Sequence, residues 1–305
     1  MSPDKILDDL YQNIAQIVLQ QRAIHSVVTN QWRGYNERVE KEGGDDTVEI
    51  GGHRMAFRDP IFSDWKFYGE FKLTLSMARS NVLKHENRQY QWLLAEAYEE
   101  FEIFLEKIYA SVGSKTRALW PAEDYGNEPV DNLDSITFEK CLNLVRAKKR
   151  HKGIGFILTN IRRQIPQINR LERDNATEID LKLSTAVIAQ LRHHIVHTRG
   201  YVNDLNSFKR KTLSEVGRTN NGKPDQSDVN FINNFFRYKN DPTWICLVRI
   251  PVEDGIFHFD ILNNACNLLL SHAYLIAMKV NSYISNRIDQ SARVRLKEQR
   301  LKRKR

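Results

Sequence analysis

Residues 192–197 read Arg-His-His-Ile-Val-His, and Gly200 follows three positions later. Imidazole titrates near neutrality and can take or give a proton at physiological pH, while a guanidinium offers a fixed fork of donors that matches a phosphate. Together they are the minimum equipment for cleaving a phosphodiester without a metal: an acid or base beside the attacking or leaving oxygen, and a cation on the phosphate. RNA is the natural substrate for that chemistry, because its 2′-hydroxyl supplies an internal nucleophile. Arg192 and His197 are the candidate reacting pair and His193 the supporting neighbour. Five positions separate Arg192 from His197, about 140° around an ideal helix, so the arginine has to swing round to meet the histidine. His193 and His197, four apart, share a face. Two other readings stand beside this one. The histidines can be polar members of a packed bundle with Arg192 paired to an acid, or His193 and His197 can form an HxxxH metal pair. The zincin pattern places a glutamate directly after the first histidine, and here that position is His194.

These residues need a helix end to hold them. Leu183, Val187, Leu191 and Ile195 recur every four positions, the NATE stretch at 175–178 offers a capping box ahead of them, and Gly200 sits where a left-handed turn would close the helix. A second amphipathic helix is expected over 87–111, with Leu94, Ala97, Phe101, Phe104, Leu105 and Ile108 on one stripe. The opposite face carries Glu99, Glu100 and Glu102, either a solvated acidic face or a source of a carboxylate for Arg192 or a histidine. A further helix over 137–164 should end at or kink before Pro166, which has no amide hydrogen to donate. Residues 5–28 read as a first helix, residues 64–84 as another, and 203–215 and 227–238 as short ones. Residues 260–286 read as a buried closing helix. The β content is minor: VEI and MAF flanking a GGHR turn suggest a short hairpin, and 244–252 is the best remaining strand. The pattern predicts a mainly all-α bundle in three parts: accessory N-terminal helices with a hairpin over 1–85, a helical domain over 86–288, and a basic tail over 289–305.

The formal charge is +8, but residues 291–305 hold eight Lys or Arg against Glu298, a net of +7, which leaves +1 for the rest. A second basic cluster, Arg146 to Lys152, continues into Arg162, Arg163, Arg170 and Arg173. Lys148, Lys149, Arg150, Lys152, Arg162 and Arg163 are the candidate RNA-binding residues of that cluster. The three cysteines, Cys141, Cys246 and Cys266, are widely spaced and show no CxxC pair, so each reads as a small buried hydrophobe. No stretch holds the eighteen or so uninterrupted apolar residues of a membrane span, and the N-terminus lacks the basic and apolar regions of a secretory signal, which leads to the expectation of a cytoplasmic protein without a membrane partner. Phosphate-binding GxxxxGK[ST], GxGxxG and GxSxG patterns are absent from the sequence.

The string LRHHIVHTRG resembles the RxxxxH signature of the HEPN superfamily, whose members are all-α domains. The resemblance extends over about residues 87–287. It implies a metal-independent endoribonuclease with no cofactor, in which Arg192 and His197 are the catalytic pair and His193 occupies the supporting polar position. It also implies a homodimer that brings two motifs into one cleft, leaving a 2′,3′-cyclic phosphate on cut RNA. Many members are toxins or antiphage-defence effectors, and some are silenced by a cognate antitoxin that modifies a tyrosine two residues after the motif histidine. That position is Arg199 here and the nearest tyrosine is Tyr201, which puts this route of control in doubt. The alternative is a noncatalytic HEPN-like module that binds nucleic acid or protein through the basic tail and the 146–173 cluster.

Overall fold

A computed structural model describes residues 1–116, 120–126, 136–220, 223–236, 241–248, 250–251 and 258–302. It is mainly α-helical. Helix α1 runs over Pro3–Lys41, followed by the hairpin strands β1 (Glu49–Arg58) and β2 (Trp65–Thr74) and then helix α2 (Leu75–Lys115). Helices α3 (Phe138–Lys152), α4 (Gly155–Gln164), α5 (Pro166–Leu171), α6 (Leu181–Thr198) and α7 (Leu205–Glu215) come next. The two-residue strands β3 (Thr219–Asn220) and β4 (Lys223–Pro224) precede helix α8 (Gln226–Asn233). Strands β5 (Ile250–Pro251) and β6 (His258–Phe259) and helix α9 (Ile261–Lys302) complete the described chain. Two compact units divide it: Met1–Ile17 with Leu94–Arg305, and Val18–Leu93.

The first unit is built around an apolar core in which α6 packs on α9. Phe101, Leu105 and Ile108 of α2, Val187, Leu191 and Ile195 of α6, and Leu262, Leu269 and Ile276 of α9 are all fully buried. One polar chain crosses this core. Thr185 Oγ1 lies 2.7 Å from His272 Nδ1, and His272 Nε2 lies 2.7 Å from Glu172. Arg162 closes the chain by donating from Nε and Nη2 to the same carboxylate at 2.8–3.0 Å. Glu172 and His272 have no exposed surface, so each depends on the others to offset its desolvation. His272 and Arg162 hold the Glu172 carboxyl below the usual range against the burial that would raise it. At the far end of α2, the Trp120 ring lies stacked on Tyr109 and donates to its carbonyl at 2.9 Å. Gly113 makes that approach possible, since a Cβ there would stand 2.3 Å from the indole.

Several local expectations change. The hairpin turn is not at GGHR: Gly51–Arg58 lies within β1, and the chain reverses over 59–64, where Asp59 accepts from the Ile61 amide at 2.8 Å. Residues 65–74, expected as helix, form β2, and α2 begins only at Leu75. The first helix runs on to Lys41. Asn175 does not cap α6. Its side chain accepts from Thr177 N at 3.1 Å in a local turn, and Asp180, braced by Arg218 at 2.5 and 2.9 Å, caps the helix through Leu183 N. Gly153, at φ 67°, splits the expected 137–164 helix, and Pro166 opens α5 at the first helical position, where no amide is needed. Within 244–252 only Ile250–Pro251 is a described strand, paired with β6, and Trp244 makes a single bridge to Tyr201. Among the described residues Ile261–Arg287 is long and apolar enough to cross a membrane, and just over half of that stretch is buried inside the protein.

Candidate active site

The motif occupies the last turns of α6, whose inward stripe of Val187, Leu191 and Ile195 fixes which residues face out. The helix ends on two residues of positive φ, Arg199 at 56° and Gly200 at 80°. The amides of both turn back to the His194 carbonyl, that of Gly200 at 3.0 Å. The left-handed turn thus starts one residue earlier than glycine alone requires.

Arg192 is half-buried, and its Nη2 donates to Glu99 of α2 at 2.8 Å. Its Nε is buried and has no hydrogen-bond partner among the described residues. The acidic face of α2 therefore contributes a positioning carboxylate, and Glu99 supplies it. His193 and His197 are exposed, with ring centroids 4.7 Å apart. His194 turns to the other side, its Nδ1 3.2 Å from Thr198 Oγ1 and its ring 5.6 Å from Phe208. Burial, then the neighbouring His197, Lys211 and Arg192, lower the His193 pKa. Burial, followed by His193, lowers that of His194. His193 and His194 thus favour the neutral, proton-accepting form.

An open cleft of about 280 Å³ lies beside this helix end, lined by His193, His194, Tyr201, Asn203, Ser207, Phe208 and Lys211 among others. Arg192 and His197 do not line it. Tyr201 is exposed and lies parallel to Trp244 at 5.9 Å. Lys211, on α7, is exposed and makes no ion pair among the described residues, yet it acts on both His193 and His194. Sequence reading did not find Lys211, Asn203, Ser207 or Phe208. They reach the motif only because α7 folds back on α6, and no local pattern announces that.

The basic cluster is arranged differently. Lys148 pairs with the buried Asp124, which also accepts from Tyr109 Oη and, at 3.1 Å, from Asn160. Lys149 reaches Glu102 at 2.8 Å and Glu106 at 2.7 Å. Arg162 belongs to the Glu172 chain, and Arg163 donates to Asn160 Oδ1 at 3.1 Å. Arg150 and Lys152 are exposed. Of the six residues read as one phosphate-attracting face, Lys148, Lys149 and Arg162 end on carboxylates, whereas Arg150, Lys152 and Arg163 are exposed. Burial pushes the Cys141 and Cys246 thiols up to about 11 and the Cys266 thiol up to about 12, which leaves none of them as a thiolate nucleophile at neutral pH. Among the described residues no group of three His, Cys, Asp or Glu side chains stands where it could hold one metal ion.

The chain was compared with family models, curated proteins and solved structures, and none of them matches it.

Proposed function

We propose that this chain is a metal-independent endoribonuclease of the HEPN type, acting as a toxin or antiphage-defence effector. The observation that carries the reading is the end of α6: Arg192 held by Glu99, with an exposed His193–His197 pair following it on the same helix. In the proposed step an imidazole takes the proton of the RNA 2′-hydroxyl. The 2′-oxygen forms a bond to phosphorus, the bond to the 5′-oxygen breaks, and a protonated imidazole returns a proton to that leaving oxygen. The products are a 2′,3′-cyclic phosphate and a 5′-hydroxyl. His197 is the proton-moving group, and His193, kept neutral, avoids a second imidazolium at 4.7 Å. Arg192 offers its remaining donors to the phosphate oxygens as charge builds in the transition state.

The cleft beside the motif suits the nucleotide next to the scissile phosphate. Tyr201 offers a stacking face backed by Trp244, and Lys211 offers an unpaired cation. The outward face of α6 carries the half-buried Ala186 and Ala189 and the exposed Val196. Small side chains of this kind allow a second copy to approach, so a homodimer with two facing motifs belongs to the same proposal. The rival reading is a binding module using the basic tail and the 146–173 cluster, and the carboxylates seated on Lys148, Lys149 and Arg162 weaken the part of it that rests on the cluster. Induced expression in a bacterial host tests the proposal. The parent chain should arrest growth with loss of cellular RNA, and the Arg192→Ala, His197→Ala double variant should not. Equal arrest by both would defeat it.

A further inference from the structure

The hairpin of the second unit carries the densest run of exposed apolar side chains among the described residues. Its strands pair only with each other. Met55 lies opposite Tyr68 on one face, with Phe57 two residues along and 6.0 Å from the Tyr68 ring. The other face presents Trp65 and Phe67, and the turn holds up Ile61 and Phe62. These seven side chains are 51–79% exposed. The display is an ordered one. Asp59 N donates to Asp64 O at 2.8 Å, the Asp59 carboxylate accepts from Ile61 N, and Arg58 Nε donates to Ser63 O at 3.2 Å.

A lone two-stranded hairpin is marginal in water, and an apolar patch beyond a few hundred Å² on a soluble protein marks an interaction surface. We propose that the β1–β2 hairpin is a self-association arm that packs on the hairpin of a second copy of this chain. Area and charge select that occupant. Trp65 and Phe67 on one face, with Ile61 and Phe62 of the turn, leave roughly 600 Å² open, the lower end of what one partner of a stable protein interface buries. Residues 49–74 hold four cations, Arg54, Arg58, Lys66 and Lys72, against four acids, Glu49, Asp59, Asp64 and Glu70. Lys66 and Lys72 are already paired within the ribbon, at 3.8 Å to Asp59 and 3.1 Å to Glu49. A polyanion or an anionic bilayer would find no net positive charge, and carboxylates flank the turn. A neutral apolar ribbon is complementary to itself, and a two-fold axis lets the same patch serve both copies.

The inference does not rest on the ribonuclease reading of α6: in the dimer proposed above, the hairpin supplies the contact that holds the two copies together, and the test separates that contact from the chemistry of α6. Sedimentation of the full chain at micromolar concentration should give twice the 35.7 kDa chain mass. The Trp65→Glu, Phe67→Glu variant should sediment as a monomer with an unchanged far-ultraviolet circular dichroism spectrum. Hydrogen exchange of the parent supplies a measurement free of substitutions: amides over 49–74 should gain protection as concentration rises through the dimerisation range. A monomeric parent, a dimer that survives the double substitution, or hairpin exchange independent of concentration would overturn the inference. A dimer broken by Val196→Glu and not by the hairpin variant would overturn it too, while leaving the α6 proposal standing. Ribonuclease activity lost on His197→Ala with the dimer intact tests α6 alone.

Discussion

Lys148, Lys149 and Arg162 each end on a buried or half-buried carboxylate, whereas His193, His197 and Lys211 end at the surface beside a cleft. On paper the two regions look alike, as runs of nitrogen bases near helix ends. In the fold they do opposite work. Lys148, Lys149 and Arg162 are answered by Asp124, Glu102, Glu106 and Glu172, so removing them exposes uncompensated acids inside the protein. The α6 end keeps its donors and acceptors available, so removing them should leave the fold and take away the chemistry. A run of charge is evidence of a surface only when no carboxylate in the fold answers it.

That contrast yields predictions in descending size. His197→Ala should cut RNA about 100- to 10,000-fold more slowly than the parent, the range one acid–base group supplies, with its unfolding midpoint unchanged. Equal rates would remove the α6 end from the comparison. Glu172→Ala acts on the other side. It leaves the fully buried His272 and the mostly buried Arg162 without their carboxylate, and urea titration should record a loss of about 3–5 kcal/mol. Lys148→Ala should cost less, about 1–3 kcal/mol, because Asp124 keeps Tyr109 and Asn160 as donors. Its cleavage rate should match the parent's. A Lys148→Ala protein as stable as the parent but slower on RNA would return the cluster to the substrate surface.

The smallest effect concerns pH. Burial lowers the His193 and His194 pKa values in the fold, so as pH falls the unfolded chain takes up protons on these two side chains before the folded one does. Their contribution to stability is complete above the ordinary imidazole range and is lost as pH falls through it toward the folded values. Thermal unfolding followed between about pH 7.5 and 5.5 should show this slope in the parent. It should flatten in the His193→Asn, His194→Asn variant.

The sequence made the helices of the first unit legible where apolar periodicity was unbroken. Leu183, Val187, Leu191 and Ile195 mark α6, and the same stripe places the motif on its outward turns. Glycine was the misleading signal in the second unit. Gly51 and Gly52 lie inside a strand, while the turn is ordered by Asp59 accepting from amides two and three residues on. The apolar residues of WKFYGEFKL do not alternate strictly and so do not announce a strand; in the fold both faces of that strand are exposed, so nothing enforces alternation. Asn175 and Asp180 are both good caps, and the choice between them was settled at a distance by Arg218, 38 positions beyond Asp180. The site was legible in its local half only. Arg192 and the histidines stand within six residues, whereas Glu99, 93 positions from Arg192, could be named only as one of three candidate carboxylates on its helix. His272 is 100 positions from Glu172. Pairings of that range are set by helix packing, which periodicity in one helix does not encode.

The central claim is that the 2′-hydroxyl of RNA is the nucleophile and the end of α6 moves its proton. The direct measurement takes an oligoribonucleotide cut by the purified parent chain in EDTA and remakes it with a single 2′-deoxy residue at the cleaved position. The account predicts a 2′,3′-cyclic phosphate and a 5′-hydroxyl from the first oligonucleotide, and no cut at the substituted position in the second. Cleavage of both at that position, or cleavage that stops in EDTA, would contradict it.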